Sequence, residues 1–170
     1  METNYQGKTR KEQNSQGVRV EGMNGGNVLD NIILRTEWFD ETEKFCEIRL
    51  DCETKYLTIY QVCYIFEEEM SKVYIAMDEY IKNPHQMKEI IFGDDSEGGS
   101  GYFSFLLTPI TLKEELKIEV DMEIADNENS LHRCKFFVNT RLESFKHFRK
   151  NLPRIFSKNS DREIKLHPYF

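Results

Sequence analysis

From Asn31 the chain alternates apolar and polar residues with a period of two. "NIILRTEWF" leads into "KFCEIRLDCET", where Cys46, Ile48, Leu50 and Cys52 fall on one side and Glu47, Arg49, Asp51 and Glu53 on the other. That is the pattern of a half-buried strand with one polar face. The β-branched and aromatic run "YLTIYQVCYIF" predicts a third strand, and the three make an antiparallel meander. The period then lengthens. In "EEEMSKVYIAMDEYIKNP" the residues Met70, Val73, Tyr74, Met77 and Ile81 share one stripe, Glu67, Glu68 and Glu69 sit at the positive end of a helix dipole, and Asn83-Pro84 stops the run. An amphipathic helix lying on the sheet follows, its stripe serving as core.

"KEIIFGDD" and "YFSFLLTPI" read as two further strands around the flexible loop "SEGGSG". The stretch "KIEVDMEIADNENSLHRCKFF" reads as a hairpin of residues 117–124 and 131–138, turning at Asn127-Glu128-Asn129. In that register Ile118, Val120, Met122 and Ile124 stand beside Val138, Phe136, Cys134 and His132. On the other face Glu123 meets Arg133, Asp121 meets Lys135, and Glu119 is expected to stay unpaired opposite Phe137. A closing helix is predicted to open on a Thr140/Glu143 capping box, to carry Leu142, Phe145, Phe148 and Leu152 inward, and to kink or end at Pro153. "SKNSDREIKLHPYF" has the composition of a frayed tail, with Leu166, Tyr169 and Phe170 as candidates for docking. The predicted class is α+β: a curved antiparallel β-sheet with a helix after the first three strands and a second at the C-terminus. One domain over residues 31–157 is expected, flanked by tails at 1–30 and 158–170.

Composition supports this size and sets the compartment. A chain of 170 residues, 39% hydrophobic and 12% aromatic, suits one domain with a real core. The first thirty residues, rich in Asn, Gln and Gly, lack the apolar content to offset ordering, and a mobile tail is expected there, with Met23 as an alternative start. No apolar run reaches the length of a membrane span, and the N-terminus lacks a secretory signal, so the expected location is cytoplasmic. Cys46, Cys52, Cys63 and Cys134 form no CxxC pair and read as reduced, packed thiols. Net charge is −7, unevenly spread: residues 31–139 hold 11 basic against 23 acidic groups, and residues 140–170 hold eight basic against three acidic. Such a field repels nucleic acid and anionic membrane and draws in basic partners.

Candidate chemistry is sparse. There is no phosphate-binding loop, dinucleotide fingerprint or nucleophile elbow, and Asp94, Asp95 and Glu97 would repel a phosphate from the one Gly-rich loop. Neither that loop nor "ADNENS" has the ligand spacing of a calcium site. His132 and Cys134 share a strand face and could begin a zinc site with Cys46 or Cys52, but a core edge is the preferred reading, and no metal or cofactor is expected. Asp51/Glu53 and Glu119/Asp121 are paired carboxylates of the kind acid–base chemistry uses and polar strand faces also carry. Trp38, the only tryptophan, stands beside acids at the end of a strand; core is the favoured reading and an exposed partner anchor the other.

The strand ending in Trp38, "QVCYIFEEEMSKVYIAMDEYI", the acidic strand "IIFGDD", the hairpin "KIEVDMEIADNENSLHRCKFFVN" and the helix "LESFKHFRKNLPRIF" together resemble small bacterial immunity proteins of the wall-associated (WapA-type) toxin systems and related uncharacterised families. The resemblance spans about residues 31–157 and rests on architecture and patterning. The thirty-residue extension and the basic, Phe-rich last helix depart from it. It implies a non-catalytic binding module that neutralises a toxin domain. The charge map independently points to a basic protein partner met by Asp51, Glu53, Asp94, Asp95, Glu97, Glu119, Asp121, Glu123 and Trp38; Glu119 and Asp95 are the acids expected to be free for it. The alternatives are a small carboxylate-based, metal-dependent enzyme and a bacterial housekeeping domain.

Overall fold

Alternating segments pair with one another wherever two apolar faces can be buried together, and here they do so twice. The computed structural model describes residues 18–19, 31–54, 58–94, 101–125, 131–156 and 163–167. The first sheet joins β1 (Val18–Arg19), β2 (Asn31–Asp40), β3 (Phe45–Glu53), β4 (Thr58–Phe66) and β9 (Glu163–Leu166) in the order β1-β4-β3-β2-β9. The second joins β5 (Lys88–Asp94), β6 (Gly101–Leu107), β7 (Glu115–Ala125) and β8 (Leu131–Arg141) in sequence order. All pairings are antiparallel. The α+β class, the meander, and the helices after the third meander strand and near the C-terminus are as the patterning predicts. The difference is that the sheet is divided in two.

That division comes from α1 (Glu67–Lys82), which follows β4 directly and carries the chain away before β5 begins. Met70, Val73, Met77 and Tyr80 of α1 are buried, while Tyr74 and Ile81 pack only partly against the core. The Tyr80 hydroxyl donates to the Thr108 carbonyl at 2.6 Å, and burial pushes its pKa up to about 12. Ile48, Leu50, Cys63 and Ile65 of the first sheet and Phe92, Phe103, Phe105 and Val120 of the second then close one interior, with Phe145 and Phe148 of α2 (Leu142–Asn151) completing it. No helix among the described residues is long and apolar enough to cross a membrane.

Three details depart from the patterning. The Thr140/Glu143 box does not form: β8 runs on through Arg141, so Thr140 pairs with Leu116 and donates its hydroxyl to the His167 carbonyl at 2.7 Å. As expected, the α-helix ends just before Pro153, which lies in a 3-10 turn, Leu152–Phe156. Within the stretch that reads as a frayed tail, Glu163–Leu166 pair with Arg35 to Ile32 of β2, and Ile164 and Leu166 are buried. Among the first thirty residues, Val18 and Arg19 pair with Ile59 and Thr58. The loop at 95–100 and the 127–129 turn lie outside the described residues.

The sheets meet where the end of the β5–β6 hairpin reaches β4. Gly93 and Gly101 have φ of +79° and +87°; a Cβ on Gly101 would strike the Val62 carbonyl oxygen, and one on Gly93 would strike the Gly101 carbonyl oxygen and press on Cys63. Both left-handed backbone and lack of room therefore demand glycine there. Gly101→Ala should lower unfolding free energy by at least ~2 kcal/mol, well beyond an ordinary surface substitution. Urea denaturation at neutral pH checks it.

Candidate functional site

The outward face of the second sheet carries the acidic row, held in the expected hairpin register: Glu123 opposite Arg133, Asp121 opposite Lys135, Glu119 opposite Phe137. Lys135 meets Asp121 directly opposite it, as expected, but two further ion pairs run diagonally. Arg133 grips both oxygens of Asp121, at 2.7 and 2.9 Å, and Lys135 reaches Glu119 at 2.8 Å and Asp121 at 3.1 Å. Glu119 is thus paired, which corrects the expectation that it stands free. Strand twist and long, leaning side chains bring the diagonal neighbour closer than the one directly opposite. Asp121 is only 5% exposed beneath its two cations. Burial disfavours its charge, but the hydrogen bonds from Arg133 and Lys135 outweigh that and hold its carboxyl below the usual range.

The first sheet repeats the device. Asp51, 4% exposed, receives Arg49 through Nη2 at 2.6 Å and Nε at 2.8 Å, and also Arg35, which at 2.8 Å holds Glu163 as well. Asp51 thus lies on the predicted face but beneath a layer of arginine. Glu53 is half-buried on the same face. Asp94 ends β5, while Asp95 and Glu97 lie outside the described residues. The structure therefore does not gather the nine predicted residues into one site: Asp51, Glu53 and Trp38 belong to the first sheet, and Glu119, Asp121 and Glu123 to the second.

Trp38 is where the structure departs most from its preferred reading. Strict alternation from Ile32, Leu34 and Thr36 would turn Trp38 inward. A bulge between Thr36 and Trp38 inserts one residue, so Thr36 faces Ile48 while Trp38 faces Glu47. The parity flips: Phe39 turns inward to meet Phe156 edge-on at 5.8 Å, and Trp38 emerges 47% exposed. It meets Phe45 edge-on at 6.1 Å; Phe45 stacks on Tyr64 at 5.5 Å and touches Phe66 at 4.5 Å. Tyr64 and Phe66 are 38% and 47% exposed. Four rings thus lie side by side on the outward face of the sheet. The missed signal was in "TIYQVCYIF", whose alternation sets Tyr60, Val62, Tyr64 and Phe66 on the face away from Ile59, Cys63 and Ile65.

The backbone under these rings is firmly tied. The Asp40 carboxylate accepts the amides of Thr42 and Glu43 at 2.7 and 3.0 Å, Lys44 takes φ of 53° to close the turn, and the Glu67 amide donates to the Lys44 carbonyl at 2.9 Å. The Phe66 amide donates to Glu69 at 2.9 Å, fixing the start of α1. Carboxylates border the rings: Asp40 is in register with Phe45, Glu47 with Trp38 and Tyr64, and Glu67, Glu68 and Glu69 follow Phe66. Burial and a hydrogen bond to Glu47 raise the Tyr64 pKa.

Other chemistry is thin. Burial raises the Cys52 and Cys63 thiols well above their ordinary value and keeps them protonated. All four cysteines are free, and among the described residues no group of three His, Cys, Asp or Glu side chains is placed to hold a metal. The His132 side chain lies outside what is described. A recess of about 270 Å³ between α1 and β5 is walled by Val73, Ala76, Ile90 and Ile91, with Glu69, Lys72 and Glu89 of mixed charge. No family model matches the chain, and neither a curated protein nor a solved structure matches it.

Asp121 and Glu163, the latter held down by its bonds to Lys165 and Arg35, both have lowered folded-state pKa values. Each contributes stability that is fully present above its ordinary value, 3.8 and 4.5, and is lost as pH falls through the lower folded value. Melting temperature should therefore drop steeply below about pH 4. Asp121→Asn should remove about 1 kcal/mol at pH 7 and flatten that acid limb. Thermal melts from pH 2 to 7 give both readings.

Proposed function

We propose that this chain is a non-catalytic binding protein of the immunity kind, neutralising a toxin domain by covering a basic surface on it. The observation that carries this reading is the aromatic cluster on the outward sheet face: Trp38, Tyr64 and Phe66, exposed among carboxylates and packed around the half-buried Phe45. Exposed large aromatics are the residues most enriched at the energetic centres of protein interfaces. Here they stand on backbone that needs no rearrangement to bind, which limits the ordering cost of association. The surrounding acids and the net charge of −7 favour a basic partner.

The carboxylate-enzyme reading is less well supported by the geometry. Asp51 and Asp121 are each clamped between two cations, an arrangement that occupies their carboxylate oxygens. General acid–base work calls for a carboxyl tuned toward neutral pH and open to substrate.

The test uses the protein partner recovered from the native host, with association and dissociation measured at about 50 and 300 mM salt, spanning the range over which surface charge becomes screened. Association should slow roughly tenfold at the higher salt, and Trp38→Ala should speed dissociation at least about tenfold while leaving the melting temperature nearly unchanged. Kinetics indifferent to both salt and Trp38→Ala would overturn the reading.

A further inference from the structure

The outward face of the first sheet holds two similar rows of side chains, and two arginines fill the first of them. In the first row β3 and β4 place Asp51 directly opposite Tyr60. Arg49 lies across the pair, bonded to Asp51 with its guanidinium carbon 4.1 Å from the centre of the Tyr60 ring, and Arg35 takes the other carboxylate oxygen. Four residues along each strand the same strands place Glu47 directly opposite Tyr64, and β2 sets Trp38 on the other side of Glu47. Carboxylate and tyrosine recur in the same relation, with an indole added and Phe45 alongside. The Tyr64 hydroxyl orients Glu47 by hydrogen bonding to it. Among the described residues no lysine or arginine is placed to pair with Glu47.

We infer that Glu47, Tyr64 and Trp38 form a receptor for an arginine side chain presented by the protein partner, with the guanidinium bonded to the Glu47 carboxylate and its flat face against an aromatic ring. This deepens the binding-protein reading and rests on it. Arginine fits better than lysine because its planar fork meets a carboxylate through two bonds, stacks on aromatic faces and loses its hydration more cheaply. A second copy of this chain is the wrong occupant, since Asp40, Glu47 and Glu67 to Glu69 would face their own kind across a two-fold axis. A nucleic acid is repelled for the same reason.

The probe is a set of short capped peptides, Gly-Arg-Gly, its lysine form and its citrulline form, titrated into the full chain. Trp38, the sole tryptophan, reports by its fluorescence. The arginine peptide should give a saturable change with a dissociation constant of roughly 1 mM, the scale of a single weakly buried contact. Lysine should bind about threefold or more weaker, and neutral citrulline should give no saturable change. Glu47→Gln should weaken the arginine peptide about tenfold, while Glu123→Gln on the other sheet should leave it unchanged. Equal responses to arginine and citrulline, or an unchanged response in Glu47→Gln, would overturn the assignment. The recovered partner separates the two levels of the argument. If Trp38→Ala weakens it but Glu47→Gln does not, and the arginine peptide fails to compete, the arginine receptor falls and the aromatic docking surface stands. If Trp38→Ala has no effect either, both fall.

Discussion

The two sheets share one interior because the β5–β6 end lies backbone to backbone against β4, an approach that leaves no space for side chains at Gly93 and Gly101. Once that seam closes, the inward faces of both sheets have apolar neighbours and the helices have a surface to cover. Burial of apolar area drives the assembly, but two small residues decide that it takes this shape.

Each outward face has a buried aspartate near its centre: Asp51 on one sheet, sealed by Arg49 of its own strand and Arg35 of β2, and Asp121 on the other, sealed by Arg133 and Lys135 of β8. An aspartate on a central strand is a poor strand former, and removing one cation would leave a charge half out of water. These clusters knit adjacent strands and consume acids that composition alone would assign to a partner. The net acidity of the chain therefore overstates the negative charge available for binding.

Much of the architecture was legible from residues whose two faces gave the same answer. The hairpin register followed because Met122 and Cys134 had to share the inside while Glu123 and Arg133 shared the outside. The pairing of charges was legible only in part: Lys135 meets Asp121 as the register implies, but whether Arg133 reaches Glu123 or Asp121 depends on strand twist. The misread cap at Thr140 has a similar origin: the capping pattern was present, but its hydroxyl had a competing partner in a distant strand. Four residues, Glu163 to Leu166, carry too little periodicity to announce a strand until the edge of β2 is there to receive them. Trp38 was misjudged because a bulge reverses every later position, and alternation cannot reveal where an extra residue is absorbed. The rest of the candidate site, Phe45, Tyr64 and Phe66, is visible in the alternation, which sets these rings on the face away from Cys46, Cys63 and Ile65.

Sheet order also has a temporal side. β2 is synthesised early, yet one of its flanks is covered only by β9, near the other end of the described chain. During translation the hairpins of the second sheet can close from neighbouring segments, whereas β2 must wait with a row of amides and carbonyls open to any extended chain. Arg35, on that flank, is charged and later meets Glu163 of the arriving strand. Before that strand arrives Arg35 is held by Asp51 of β3, and its charge already borders the open edge.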